Sequence, residues 1–535
     1  MHLRIDRSRM LLASAAFAAA IMVSAIAASS ASAILQRLPD GQIVSYQPLR
    51  GKAPAVRFDT MFNNMDYNGG PIMPSNTVHL VFWSPKGYGA YPGAGSPPQY
   101  VRGIEQYFKD LQRDSGGDRN VNSVDPQYND LTGAFARYSI RLGGVILDRN
   151  PYPASQCPVH APVTNCLTDA QFQAEVEHVA AVHHLKNGLS TEMFVLTPPH
   201  VESCFSTQAS LHFGGCSVGI IPSKLAAYCA YHQETLASPM WFYANDPFET
   251  GVKINGKLAC EDGHHPNGVS DGAIQGGLSH ELNESVTDPI PNDAWTNGVG
   301  VNHGSEIGDQ CNSRMGAPIG THNGQPYNQV INGHFYWYQE EWSNNTNQCV
   351  QRITLPATLP TATFTVRAGG GLGMSFNATG STAPGGVAAY SWQWNAVTNA
   401  PTVETAKPTI SNKFPAAGLY SIGLAVFGPN GQSIGTGGII RIGHNGFAPG
   451  FRFSPSRPTA GQLVKFDGRT TVSRHPVTNY LWEFGDGTTG SGESPTHRYA
   501  RPGTYKVKVV QFSGVGSAFP GSGAAPISVE TVTVK

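Results

Sequence analysis

Apolar residues Ile274, Leu278, Leu282 and Val286 recur every four positions, the stripe of a helix that faces a core. Ser270 and Asp271 are placed to cap its start, and Pro289 to stop it, because the residue before proline avoids the α region. Upstream, Thr77 to Trp83 reads as a buried strand. Ser96 with Pro97 and Pro98 opens a helix that carries Val101, Ile104, Tyr107, Phe108 and Leu111 on one side. Tyr138 to Leu147 is a second strand. Thr168 and Gln171 form a capping box for a helix running to about Leu185. Met193 to Leu196 is a third strand, stopped by Pro198 and Pro199. Short strands are expected at Cys216 to Ile221 and Met240 to Tyr243, on either side of Cys229-Ala230-Tyr231-His232. Alternating helices and strands imply an α/β or α+β domain with several helices on a sheet.

After a proline-bearing linker at 355–360 the pattern changes to short alternating strands without cysteine, as in β-sandwiches. Phe376, Tyr390 and Trp392 recur ninety positions on as Phe466, Tyr480 and Trp482, an internal repeat. The expected organisation is therefore a signal peptide at 1–33, an extended arm or propeptide at 34–75, an α/β or α+β domain at 76–354, and two immunoglobulin-like sandwiches at 361–445 and 446–535. The linker and the loss of cysteine suggest sandwiches separable from the first domain.

Composition narrows the partners. A formal net charge of −1 with 13% charged residues gives no field for a polyanion, so nucleic acid is not expected. Arg4, Arg7 and Arg9 precede an alanine-rich apolar run and Ala31-Ser32-Ala33, the pattern of a secretory signal cleaved before Ile34. A membrane anchor is the alternative; after cleavage no membrane segment is expected. All eight cysteines lie between Cys157 and Cys349, and an even number in an exported chain argues for disulfides. Close spacing suggests Cys157–Cys166 and Cys204–Cys216, with Cys229–Cys260 and Cys311–Cys349 then remaining, though sequence alone leaves the connectivity open.

The apolar stripe carries chemistry on its far side. His280 and Glu284 lie one turn apart there, with Glu281 beside His280: a His-Glu-x-x-Glu form of the zincin HExxH. In that motif the outer pair binds zinc and the inner glutamate activates water. The competing reading is a solvated polar helix face. Gly276 and Gly277 each cost about 1 kcal/mol against alanine inside a helix, which implies close backbone packing beneath the site. His232 is a candidate ligand or a group that polarises a carbonyl, or else structural. Asp288 could orient a ligand or serve as a turn residue. Asp309 is a candidate ligand or a partner to one. Ser96 and Ser279 stand in no Gly-x-Ser-x-Gly elbow, and no P-loop occurs.

Three resemblances add to this. Residues 446–535 carry Trp482-Glu483-Phe484-Gly485-Asp486-Gly487, His497-Arg498-Tyr499 and Pro502-Gly503-Thr504-Tyr505, and closely resemble the polycystic kidney disease (PKD) domain. The first repeat lacks the Gly-Asp-Gly turn after Trp394 and looks like a degenerate relative. The resemblance implies spacers or modules that help bind insoluble substrate, with Asp486 and Gly487 as turn chemistry. Residues 67–349 resemble the phosphate-induced/EXORDIUM family through Tyr67-Asn68-Gly69-Gly70-Pro71, Val81-Phe82-Trp83, Cys229 to His232, Ser279 to Leu282 with Glu284, Thr287-Asp288-Pro289, and Glu306 to Asp309 with Cys311. That family is extracellular and linked to growth, without an established reaction. The third resemblance is to gluzincin metallopeptidases, whose third ligand is a glutamate downstream of HExxH; Glu306 follows at a comparable interval, while Glu284 stands where those enzymes have histidine.

The sequence thus points to a secreted metal-dependent hydrolase, peptidase-like. His280, Glu284 and Glu306 would hold Zn²⁺, with Ca²⁺ or Mn²⁺ as alternatives for so oxygen-rich a set, and Asp309 as a further ligand. Glu281 and His232 would be catalytic, and the substrate an extracellular protein or polysaccharide. The rival is a non-catalytic extracellular or wall-associated binding protein of the EXORDIUM type.

Overall fold

The computed structural model describes residues 35–38, 42–52, 64–68, 70–130, 134–207, 215–237, 239–297, 304–355, 358–394, 403–415, 418–442, 451–470, 479–512 and 527–535. The expected signal peptide lies outside them. The first domain is built on a ten-stranded mixed sheet. Its strands and flanking helices are, in chain order, β1 (Leu35–Arg37), β2 (Ile43–Pro48), β3 (Asn76–Trp83), α1 (Gln99–Asp114), β4 (Ile140–Asp148), β5 (Asn165–Thr168), α2 (Asp169–Val182), β6 (Thr191–Leu196), β7 (Val201–Cys204), β8 (Cys216–Ser217), β9 (Ala226–Glu234) and β10 (Phe242–Asp246). The spatial order is β4-β3-β6-β10-β9-β8-β7-β5, with β2 added to β9 and β1 to β2. Strands β4, β3, β6 and β10 are parallel, and β9 runs antiparallel to both β10 and β2.

Period-two alternation sends the sheet into two apolar cores. Val78, Leu80 and Phe82 pack with the α1 stripe, including Ile104 and Phe108, and with Leu278 and Leu282. Val81, Trp83 and Val195 face the other way, onto Phe172, Val176 and Val179 of α2. The N-terminus of α2 carries the expected capping box, with Thr168 N–H donating to Gln171 Oε1 at 2.9 Å. Two expected strands differ from those found. That at Cys216 to Ile221 shortens to β8, and that at Met240 to Tyr243 moves to β10, because ladder partners rather than apolar runs set strand ends.

Residues 34–75 read as an arm or propeptide from sequence. Their described part is woven into the domain: β2 pairs with β9 in a register that places Ser45 opposite His232, and Asp66–Tyr67 pairs with Trp295–Thr296. The four disulfides are Cys157–Cys166, Cys204–Cys216, Cys229–Cys260 and Cys311–Cys349.

The helix under the His-Glu-x-x-Glu stretch is segmented. An α turn at Ser270–Ala273 passes through a π turn at Ile274–Leu278 into α3 (Ser279–Thr287). Ser270 and Asp271 sit within the first turn rather than capping it, since Val269 precedes them; Asp271 Oδ1 instead accepts Asn267 Nδ2–H at 3.0 Å. The helix stops at Thr287, ahead of Pro289.

Each C-terminal repeat pairs a three-stranded with a four-stranded antiparallel sheet around a buried tryptophan, Trp392 or Trp482. Both sandwiches dock on the first domain. Asn129 Nδ2 donates to Gly435 O at 2.6 Å, and Gly435 N–H donates back to Asn129 Oδ1 at 3.0 Å. A Cβ on Gly423 would lie 1.7 Å from Tyr67 O, so only glycine permits this approach. Leu481 of the second sandwich joins Met73, Leu189, Met240, Phe242 and Ile290 in one apolar cluster. The separable arrangement suggested by the linker is therefore not what the fold shows. Linker composition reports on connectivity, not on the surfaces that meet.

Candidate metal centre

Three parts of the chain converge on one buried cluster. Helix α3 supplies His280, Glu281 and Glu284, β9 supplies His232, and the turn around Gly308 supplies Glu306 and Asp309. His280, Glu281, Glu284 and Glu306 are 0% exposed, His232 1% and Asp309 2%. A solvated helix face is thereby excluded: both sides of α3 are inside the protein.

Glu284 lies between the two histidines. Its Oε1 is 3.1 Å from His280 Nε2, and its Oε2 is 3.9 Å from His232 Nδ1. Asp309 Oδ1 lies 3.5 Å from the same His280 Nε2, and Glu306 Oε1 3.5 Å from His232 Nε2. His232 Nδ1 sits 3.0 Å from Glu281 Oε2, while its Nε2 donates to the Asp288 carbonyl oxygen at 3.0 Å. The Asp309 amide donates to Glu284 Oε1 at 2.9 Å, tying the turn to the helix. A Cβ on Gly308 would come within 2.9 Å of both Glu284 Oε1 and His280 Nδ1, so the turn needs glycine for this approach.

The glycines of the π turn have a related explanation. A Cβ on Gly277 would be 2.3 Å from Asp246 Oδ1, and one on Gly276 2.7 Å from Glu249 Oε1. Two buried carboxyls thus press on the helix backbone just before the site, at a π turn of the kind often found at functional positions. Asp288 proves to be a turn residue whose carboxylate accepts the amides of Asn292, Asp293 and Ala294 at 2.8, 3.1 and 2.6 Å. It meets the site twice, through the carbonyl that holds His232 and through its carboxyl beside Glu306.

The cluster is polar, buried and poorly satisfied. Among the described residues, His280 Nδ1 and Nε2, Glu281 Oε1, Glu284 Oε2, both Glu306 oxygens and Asp309 Oδ1 have no hydrogen bond of good geometry, only the contacts within the cluster and its immediate shell. Buried polar atoms are ordinarily paired, and an unpaired buried charge costs several kcal/mol. The titration behaviour expresses this. Burial and the Glu284 charge push Asp309 up to about 7, and burial with Glu284 and Asp288 raises Glu306 well above its ordinary range. Burial lowers His232, but Glu281 and Glu284 override it and raise the imidazole to about 9. A bound cation would relieve all of these strains together. Imidazoles with converging carboxylates suit Zn²⁺ or Mn²⁺, and the carboxylates also Ca²⁺. His232, Glu284 and Glu306 can each offer one donor atom within 4.8 Å of the others, and so can His280, Glu281 and Glu284. The residues present fit a divalent metal.

Sequence reasoning did not reach the surrounding carboxyls. Glu192 on β6 accepts Ser285 Oγ–H at 2.5 Å and Asn76 Nδ2–H at 2.6 Å, anchoring α3 to the sheet. The available signal was a charge at the head of the apolar run Met193 to Leu196. Asp246, at the carboxyl end of a parallel strand, occupies the usual ligand side of an open α/β sheet.

Comparison with known proteins identifies one part of the chain. Residues 448–518 match the model of the PKD domain, so the second sandwich is a PKD domain. Human Polycystin-1 is 40% identical over 86 residues, 15% of this chain, and Collagenase ColA of Bacillus cereus is 39% identical over 56 residues, 10% of this chain. The matches span only 2% and 6% of those two proteins. Among solved structures, the PKD1 domain of the Vibrio cholerae metalloprotease PrtV is 24% identical, with a TM-score of 0.14, covering 16% of this chain and 100% of that one. That of Vibrio anguillarum Epp is 21% identical, with a TM-score of 0.14, covering 16% and 98%.

Proposed function

We propose that the protein is a secreted metal-dependent hydrolase of peptidase-like chemistry. The observation that carries this is the buried knot of unpartnered donors at His280, Glu281, Glu284, Glu306 and Asp309. His280 and Glu284 hold the metal, with Asp309 in reach of the same imidazole, and Glu306, the third expected ligand, comes in beside Glu284 and His232. The metal supplies Lewis acidity towards a substrate carbonyl. Glu281 accepts the proton of the attacking water on Oε1, the oxygen without a partner, while His232 aligns the carboxylate through Oε2. The Asp288 carbonyl in turn fixes the His232 ring.

Four disulfides and the signal-like N-terminus support an oxidising, extracellular setting. Among the described residues no helix is long and apolar enough to cross a membrane. The PKD domain and the segment shared with a bacterial collagenase support a role towards polymeric extracellular substrate, protein or polysaccharide. Full enclosure of the cluster favours a second reading, a non-catalytic extracellular binding protein of the EXORDIUM type with a structural metal centre. Hydrolysis of a protein substrate that stops on chelation and returns with added metal supports the first reading. A metal-loaded protein inert towards proteins and polysaccharides supports the second.

A further inference from the structure

We propose that the centre binds two divalent cations bridged by the carboxylate of Glu284. This rests on the reading of the cluster as a metal centre and goes beyond it in number and in the role of His232.

Two compact groups of donors share Glu284, His280 with Glu281 and His232 with Glu306. On one side Oε1 faces His280 Nε2 at 3.1 Å, and Asp309 Oδ1 faces that nitrogen at 3.5 Å. On the other side Oε2 is 3.9 Å from His232 Nδ1, and Glu306 Oε1 is 3.5 Å from His232 Nε2. The two carboxylates of the first side share His280 Nε2, whereas those of the second face different nitrogens of His232, of which Nδ1 is the one not held by the Asp288 carbonyl. The second set is independently compact, since His232, Glu284 and Glu306 offer donor atoms within 4.8 Å of one another. Glu284 Oε2 and both Glu306 oxygens lack partners on that side, and both residues are fully buried. A bidentate carboxylate between ions about 3.5–4 Å apart is the ordinary geometry of a two-metal site.

Charge points the same way. Glu281, Glu284, Glu306 and Asp309 are four carboxylates, and among the described residues no lysine or arginine forms an ion pair with any of them. His232 is then a ligand whose neighbour, Glu281, is the proton acceptor. Imidazole with carboxylate on each side suits Mn²⁺ or Zn²⁺.

The test uses the full-length protein stripped with chelator and reloaded with Mn²⁺ alone. Elemental analysis should give about two Mn²⁺ per chain, and electron paramagnetic resonance a spin-coupled pair rather than isolated Mn²⁺. His232→Ala and His280→Ala should each keep one ion and lose the coupling. If either variant fails to fold, the wild-type stoichiometry and spectrum decide. One uncoupled ion per wild-type chain overturns the bridged pair and leaves the mononuclear centre standing. No bound ion overturns both.

Discussion

At the seam between the PKD domain and the first domain, Lys508 is 0% exposed and lies against Asp130 and, at 2.7 Å, Glu483. Burial pulls its ammonium down, but the Asp130 and Glu483 charges override this and raise it. The His-Glu-x-x-Glu cluster is as deeply buried and far more acidic, yet among the described residues the basic groups that face its carboxylates are two imidazoles. In the first region the fold supplies its own positive charge, and buried carboxyls are paired. In the second it leaves an array of unpartnered oxygens around a common point. Burial of charge is thus not in itself a signature of function; what sets the second region apart is that several buried donors converge on one point.

The largest expected effect breaks the second region. Glu281→Gln keeps size and helical fit but removes the proton acceptor, so hydrolysis should fall by about 10²–10⁴-fold with metal content unchanged. Wild-type activity in that variant would end the proposed role of Glu281. Next comes the first region. Lys508→Met removes the internal cation and should cost about 3–5 kcal/mol in a denaturant titration of the full chain, because two carboxyls remain buried without the ammonium. A stable variant would show that the seam admits water and that the contrast is overstated.

The docking itself is tested at Gly423. Gly423→Ala drives a methyl into the Tyr67 carbonyl and should destabilise the chain by about 1–3 kcal/mol, with the first sandwich becoming protease-sensitive. No effect would mean that the sandwich swings free. The smallest effect is at the PKD turn. There Asp486 accepts from Thr488 Oγ1 at 2.6 Å and pairs with His497 at 2.7 Å. Burial raises its carboxyl, but the bonds to His497 and Thr488 outweigh that and hold it below the ordinary value of 3.8. Its contribution is therefore complete above that value and fades as pH falls through the lower folded value. Asp486→Asn should cost no more than about 1 kcal/mol at neutral pH and nothing at strongly acidic pH, measured by thermal melts.

How much of this was legible in the sequence depends on range. The stripe Ile274, Leu278, Leu282 and Val286 was legible because a four-residue recurrence is local, and all four residues sit in the core. The opposite face was ambiguous because its cover comes from β9 and from the Gly308 turn, distant in sequence. Gly276 and Gly277 signalled close packing, but not that Asp246 and Glu249 were the groups approaching. Strand β2 has no sustained period of its own and is defined only by its ladder with β9. The PKD turn was legible because Gly485, Asp486 and Gly487 are chemically demanding: both glycines adopt positive φ, 82° and 86°. The docking of the sandwiches left no comparable mark, since Gly423 and Gly435 look like any other strand glycines.

The central claim is that the acidic cluster takes its missing positive charge from outside the chain. Calorimetric titration of Zn²⁺, Mn²⁺ and Ca²⁺ into chelator-stripped full-length protein, run in buffers of different ionisation enthalpy, tests it most directly. The account predicts saturable uptake of at least one of these ions with release of protons, because carboxyls and imidazoles held protonated by burial and by each other must give up protons to bind. The same titration on His280→Ala should show weakened uptake. A folded protein that takes up none of the three ions, with a melting temperature indifferent to chelator, would contradict it.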